Sequence, residues 1–292
     1  MILHEAPLNP QTHTERLAQV HFESFGTPSL LMSPPSGYLS LLYGGRTSGI
    51  GFDSGAEVTS VVGVLDGLAI PTSLKRYDFG GRDITMTTLI RLNQNTRAIN
   101  EEHGVRMRLD PSSWQHRYIA DGIKAKHAYI RDVKLKNNKI VENAKTDETI
   151  RFKLPDGTSY ETDRHVFDIT EAYFKDSFAS GCNIFTTRSK CEMPSIVDLI
   201  RDASRCVTQD IARDVLLKNV CISGGNVQAC GFASRLEAEL GIDVVKFDRL
   251  SSSTVFGGAS LLYELHAFRL QFVSRKSYEE FGANALCSRG ML

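Results

Sequence analysis

Three stretches of this sequence place glycine directly after an apolar run. They are Phe52-Asp53-Ser54-Gly55, Tyr77-Asp78-Phe79-Gly80-Gly81-Arg82-Asp83 and Cys221-Ile222-Ser223-Gly224-Gly225. A fourth, Phe256-Gly257-Gly258, precedes an apolar stretch. Glycine at a strand end lets a ligand approach the backbone, and it can turn N–H groups toward a phosphate. One such loop is only a turn; several in one chain suggest a nucleotide cradle. Other chemistries find little support. No G-x-x-x-x-G-K-[ST] loop is present, and Asp78-Phe79-Gly80 matches D-F-G without the rest of a kinase signature. No H-E-x-x-H or G-x-S-x-G motif points to zinc or serine hydrolysis. The six cysteines (Cys182, Cys191, Cys206, Cys221, Cys230 and Cys287) include no C-x-x-C pair and no histidine at zinc spacing, so they read as reduced, unliganded thiols.

The elements that would hold these loops alternate between strand and helix. Periodicity predicts strands at Thr47–Phe52, Val58–Leu65 and Leu68–Ile70, with turns at Asp53-Ser54-Gly55 and Asp66-Gly67. Buried strands are predicted at Val220–Ile222 and Val244–Phe247, and Pro155-Asp156-Gly157 turns between two short strands. Helices are predicted after Asn9-Pro10 through about Phe25, and at Asp83–Leu92, Trp114–Lys126, Ser195–Ala203, Val207–Leu217, Gly231–Leu240, Leu261–Phe272 and Ser277–Phe281. Pro34-Pro35 breaks the chain, and the polar stretches 93–113 and 134–150 read as exposed excursions. The class is α/β.

Composition sets the outer limits. The 292 residues suggest about two domains. Lys plus Arg and Asp plus Glu both total 34, which argues against binding nucleic acid by bulk charge. No apolar run approaches the length of a membrane span, and the first ten residues lack the pattern of a secretory leader.

The sequence resembles the actin and actin-related protein family along almost its whole length. The resemblance rests on Glu5-Ala-Pro-Leu-Asn-Pro10, Phe22-Glu-Ser-Phe-Gly-Thr-Pro28, Gly45-Arg-Thr-Ser-Gly49, Asp53-Ser-Gly55, Gly80-Gly-Arg-Asp-Ile-Thr85, Leu154-Pro-Asp-Gly157, Ser223-Gly-Gly225, Gly257-Gly258 and Tyr278-Glu-Glu-Phe-Gly282. These blocks follow the family's order and nearly its spacing. The resemblance implies an actin/Hsp70-like (ribonuclease H-like) two-lobed fold, truncated at the N-terminus. It assigns residues 1–44 and 253–292 to the remainder of the first lobe, 45–79 and 182–252 to the base of the second, and 80–181 to its outer part.

The same resemblance implies a site for ATP or ADP with Mg, held by Asp53, Ser54, Gly55, Gly81, Lys124, Gly224 and Gly225, with Asp53 holding waters on the metal. Departures from the family pattern weaken that site. Glu57 stands where the family has a glycine near the phosphates. A carboxylate about 5 Å from a phosphate oxygen costs about 3 kcal/mol at an effective dielectric of about 20. Ser60 and Ser36 stand where a histidine and a glutamine would place the attacking water, so little or no turnover is expected. Ala125 replaces a ribose-binding glutamate, Ala229 a tyrosine beside the base, and Ser251 lies near an adenine-side lysine.

The expected function is an actin-like cytoskeletal assembly or scaffold component in the cytoplasm with a vestigial ATPase site. Two alternatives are a nuclear actin-related subunit of a chromatin-modifying complex and an ATP-hydrolysing filament former completed by a longer isoform. Expected partners are other actin-like subunits or a protein covering the truncated lobe, without direct nucleic-acid or membrane contact. The groove around Gly45, Thr47 and the last helices would accept an amphipathic helix. Leu261, Leu262, Leu265, Phe268, Leu270 and Phe272 are expected to leave an apolar face open. Arg46, Arg82 and Arg235 read as structural ion-pair residues, and Lys134–Lys139 as a solvated loop.

Overall fold

A computed structural model describes residues 1–99, 107–131, 133–136, 139–142, 148–174, 193–247 and 251–287, with the side chains of 133–142, 251–252 and 287 outside the description. In chain order the elements are β1 (Ile2–Leu3), α1 (Gln11–Gln19), β2 (Ser29–Met32), α2 (Ser36–Tyr43), β3 (Gly49–Ser54), β4 (Thr59–Leu65), β5 (Leu68–Ala69), β6 (Lys75–Tyr77), α3 (Gly81–Asn95), β7 (Arg97–Ala98) and α4 (Trp114–His127). They continue with β8 (Val133–Lys136), β9 (Lys139–Glu142), β10 (Thr149–Lys153), β11 (Ser159–Asp163), α5 (Ile196–Arg205), α6 (Asp210–Leu217), β12 (Val220–Ser223), α7 (Phe232–Leu240), β13 (Val244–Lys246), α8 (Ser251–Glu264), α9 (His266–Arg269), β14 (Val273–Ser274), α10 (Arg275–Phe281) and α11 (Asn284–Cys287).

The central sheet runs β13-β12-β3-β4-β5, with β6 also paired to β4. Its β13, β12 and β3 are parallel, whereas β3, β4 and β5 form antiparallel hairpins. Val220, Ile222, Ile50, Phe52 and Val61 are buried, as expected for strands covered on both faces. Below them lie Ile196, Leu199, Ile200 and Ala203 of α5, whose apolar residues recur at helical spacing. Ser195 caps that helix by accepting from the Asp198 N–H at 3.2 Å. Smaller sheets are β1-β2-β14, β10-β11-β7 and β8-β9. No helix among the described residues is long and apolar enough to cross a membrane.

Most predicted elements appear with ends shifted by one to three residues. Several differences are larger. The stretch 93–113, expected as an exposed excursion, carries β7 and buries Ala98, Met107 and Leu109, because apolar residues without a regular period, such as Met107 and Leu109, still pack against α3 and α4. Residues 134–136 and 139, expected in a loop, lie in the β8–β9 pair, and the first helix is α-helical only to Gln19 before a π-helical turn over Val20–Ser24. Helix α2 follows Pro35 directly and is buried over Ser36–Leu41, with no polar face for periodicity to reveal. The helix predicted at Leu261–Phe272 instead begins ten residues earlier, as α8, and ends at Glu264. Gly257 and Gly258 lie inside it rather than ahead of it. A Cβ on Gly258 would stand 2.1 Å from the Leu39 carbonyl oxygen, and one on Gly257 would stand 2.5 Å from the Tyr43 ring. These glycines let α8 lie directly on α2; that tertiary contact overrides the weak helix propensity of glycine. Of the expected apolar face, Leu262 is fully buried and Phe268 and Phe272 are partly covered, while Leu261, Leu265 and Leu270 remain exposed.

Candidate functional site

The glycine loops meet at one place because β3 and β12 are register neighbours, pairing Asp53 with Ser223. Gly224 adopts φ +97°, and a Cβ there would lie 2.1 Å from the Ser54 carbonyl oxygen, so the two strand ends pack backbone to backbone. Asn226 then ties the loops together. Its Nδ2 donates to the Gly55 carbonyl at 2.7 Å and to Ser54 Oγ at 3.0 Å, while its Oδ1 would stand 2.8 Å from a Cβ on Gly81.

Beside this junction is a cavity of about 390 Å³, a size typical of small-ligand sites. Four of the predicted residues line it: Gly55, Gly81, Lys124 and Gly225. Ile84, Ala125, Ala128 and Ala229 form an apolar wall, joined by Asp121, Thr170, Asn226 and Gln228. Asp53, Ser54 and Gly224 are not among its lining residues. Ser54 is fully buried, and its hydroxyl is held by Tyr173 Oη at 2.6 Å and Thr59 Oγ1 at 2.9 Å. Burial pushes the Tyr173 hydroxyl far above the usual phenol range, keeping it neutral.

Lys124 is the one cation among the described lining residues, and its ammonium is fully engaged. Nζ donates to the Gly81 carbonyl at 3.1 Å and Thr85 Oγ1 at 2.8 Å, and it pairs with Asp121 Oδ1 at 2.7 Å. Desolvation raises the Asp121 carboxyl, but Lys124 and Thr85 outweigh it and leave it below the ordinary value, hence ionised.

The backbone donors of the second glycine loop are also spent. Gly80 N–H donates to Asp83 Oδ2 at 3.0 Å, Gly81 N–H to the Gly55 carbonyl at 3.0 Å and Arg82 N–H to the Ala56 carbonyl at 2.7 Å. The amino end of α3 therefore closes on the neighbouring loop, and those three N–H groups do not face a phosphate as the sequence suggested. Gly55 N–H likewise donates to the Val58 carbonyl at 3.0 Å.

Glu57 behaves differently from its sequence expectation. It pairs with Arg82 at 2.6 Å, so its charge is compensated and not directed bare at the phosphate region. The ion-pair expectations for the other arginines divide. Arg235 pairs with Glu239 in a buried setting, whereas Arg46 donates to Asn219 Oδ1 at 3.2 Å and the Gly44 carbonyl at 2.9 Å.

Asp53 belongs to a polar group that sequence reasoning missed. Ser223 Oγ donates to Asp53 Oδ1 at 2.7 Å. His4 Nε2 lies 2.9 Å from Ser36 Oγ, and His4 Nδ1 lies 2.7 Å from Ser33 Oγ. Desolvation raises the Asp53 carboxyl against the opposing pull of Ser223, His4 and Ser36. Desolvation lowers His4, although Asp53 and Glu5 favour its charged form. Only the 32-residue separation of His4 from Ser36 hides this group; nothing local marks it. Ser60 is buried opposite Asp53 on β4. Cys182 and Cys191, and the side chains of Ser251, Cys287 and the 134–139 stretch, lie outside the described residues.

The chain matches the family model described as Actin over residues 1–291. The chain belongs to the actin family. Its mixed α/β architecture is that family's fold, and nucleotide binding is the family's general property. In this actin-family chain the cavity offers an apolar wall of Ile84, Ala125, Ala128 and Ala229 beside the Asp121 carboxylate. For a phosphate, the N–H groups of residues 80–82 are already occupied, and the cavity's one described cation, Lys124, is paired with Asp121. For magnesium, Asp53 offers one carboxylate, and no group of three or more His, Cys, Asp or Glu gathers among the described residues. A metal that keeps most of its waters needs only such a contact, so Asp53 would hold Mg through water.

Proposed function

We propose that this protein is an actin-like assembly or scaffold component whose nucleotide site is kept for structure and for holding a nucleoside, with little or no ATP hydrolysis. The observation that carries this reading is that donors around the cavity are used by the protein itself: the first N–H groups of α3 by Gly55, Ala56 and Asp83, and the Gly55 N–H by Val58, while the cavity's one described cation, Lys124, is paired with Asp121. Phosphoryl transfer works by positioning and charge stabilisation. Ser36 and Ser60 are engaged or buried and offer no imidazole or carboxamide to aim water.

In this reading the protein acts among other actin-like subunits or against a protein partner, in the cytoplasm as part of the cytoskeleton, and does not itself bind nucleic acid. Residues 1–44 and 253–292 form part of one lobe and the central sheet the base of the other. Sedimentation and electron microscopy in Mg-ATP, Mg-ADP and nucleotide-free buffer test the reading. The same assembled fraction is expected in all three. Assembly that requires ATP and is followed by phosphate release contradicts it.

A further inference from the structure

We propose that Asp121 is the specificity-determining residue of the cavity, accepting the paired hydroxyls of a ribonucleoside through Oδ2. The proposal rests on the nucleoside reading above and deepens it.

Asp121 Oδ1 already receives Lys124 Nζ at 2.7 Å and lies 2.8 Å from Thr85 Oγ1, whose one hydroxyl hydrogen is shared between this oxygen and the Gly81 carbonyl. No described residue donates to Oδ2, and the side chain keeps 55% of its surface exposed while lining the cavity. An ionised carboxylate oxygen with two free lone pairs matches two neighbouring hydroxyl donors, and such charge-assisted hydrogen bonds are the stronger kind. The fixed half of the carboxylate orients the free half. Thr85 is itself anchored on the Gly81 carbonyl at 2.8 Å, and Lys124 on the same carbonyl at 3.1 Å. The carboxylate is therefore positioned before any ligand arrives.

The remaining lining selects the rest of the ligand. Ala125, Ala128 and Ala229 are small, and with Ile84 they leave a broad apolar slot for a planar ring. The charges of Asp121 and Lys124 cancel, so the lining favours a neutral group over an anion at this end. A neutral ring carrying a vicinal diol is a ribonucleoside. The hydroxyl-reading group then sits one helical turn before Ala125, on the same helix face as Lys124.

Calorimetric titration of the full chain with adenosine, 2′-deoxyadenosine and 2′,3′-dideoxyadenosine tests this. Wild type is expected to bind adenosine about tenfold or more tightly than the dideoxy compound. Asp121→Asn is expected to shrink that ratio to about twofold while leaving the dideoxy affinity in place. Equal binding of adenosine and dideoxyadenosine by wild type overturns the proposal but keeps the nucleoside reading. A uniform loss with every ligand in Asp121→Asn also overturns it, because a purely structural role predicts that pattern. Failure of wild type to bind any of the three overturns both.

Discussion

Replacing Gly224 and Gly225 one at a time separates the fold of this site from its ligand function. At Gly224, φ is +97° and an added Cβ would stand 2.1 Å from the Ser54 carbonyl oxygen and 2.5 Å from its carbon. Carbon normally approaches a carbonyl oxygen no closer than about 3.3 Å, so the end of β3 must shift by about 1.2 Å or the loop must unwind. The left-handed backbone costs about 1–2 kcal/mol for alanine, and forced overpacking about 1–3 kcal/mol more. Gly224→Ala is therefore expected to lose about 2–5 kcal/mol, a large share of the roughly 5–15 kcal/mol that holds a domain folded. The displaced residue is Ser54, so the loss also reaches its bonds to Thr59, Tyr173 and Asn226. Gly225 sits at φ −66°, ψ −33°, with nothing within 4 Å of an added Cβ, yet it lines the cavity. Gly225→Ala is expected to change stability by less than about 1 kcal/mol while weakening adenosine. Guanidinium melts of both variants, with the slope m compared to wild type, read the two costs. A Gly224→Ala protein within about 0.5 kcal/mol of wild type, or a Gly225→Ala protein as damaged as Gly224→Ala, refutes the packing argument.

Other consequences are equally direct. Gly258→Ala drives a Cβ to 2.1 Å from the Leu39 carbonyl and should cost about 1–3 kcal/mol or more by separating α8 from α2, read as a lower melting temperature. The Glu57–Arg82 pair is 40% and 55% exposed, so a double-mutant cycle with Glu57→Gln and Arg82→Gln should give a coupling of about 1 kcal/mol or less, shrinking in salt; a larger, salt-resistant value contradicts the assignment. Burial pushes the Cys221 thiol up to about 11, so about one molecule in a thousand is thiolate there at pH 8; peptide mass mapping after brief alkylation should find exposed Cys230 modified and Cys221 intact. His4 is held below its unfolded value of 6.5, so the unfolded chain binds the extra proton first, and stability should fall as pH drops below 6.5 through the folded value. His4→Gln should flatten that part of the stability profile; an unchanged profile would show that His4 is not its source.

What could be read from the residues alone follows the range of the forces involved. The β3–β4 hairpin, the paired strands around Pro155-Asp156-Gly157, α4 and the glycine loops announce themselves through local turn chemistry and periodicity. Lys124 was identifiable by its resemblance to a family position, and the cavity places it beside Gly55, Gly81 and Gly225. Asp121 carries no motif, because its role depends on α4 packing against α3 so that Thr85 and Lys124 converge on it. Asn226 reads as one residue of a turn until the fold brings Ser54 and Gly55 to it from 171 or more positions away. Gly257 and Gly258 mislead for the same reason: their meaning is the closeness of α2, which no local window contains.

The central claim is that Lys124 and the N–H groups of Gly55 and residues 80–82 are already committed within the protein, so that no ATP turnover follows. Phosphate release from saturating Mg-ATP, followed continuously on the purified full chain, tests it most directly. The account predicts no release above the buffer rate, with adenosine still binding in parallel. Sustained release that follows enzyme concentration and is abolished by Asp53→Ala would contradict it.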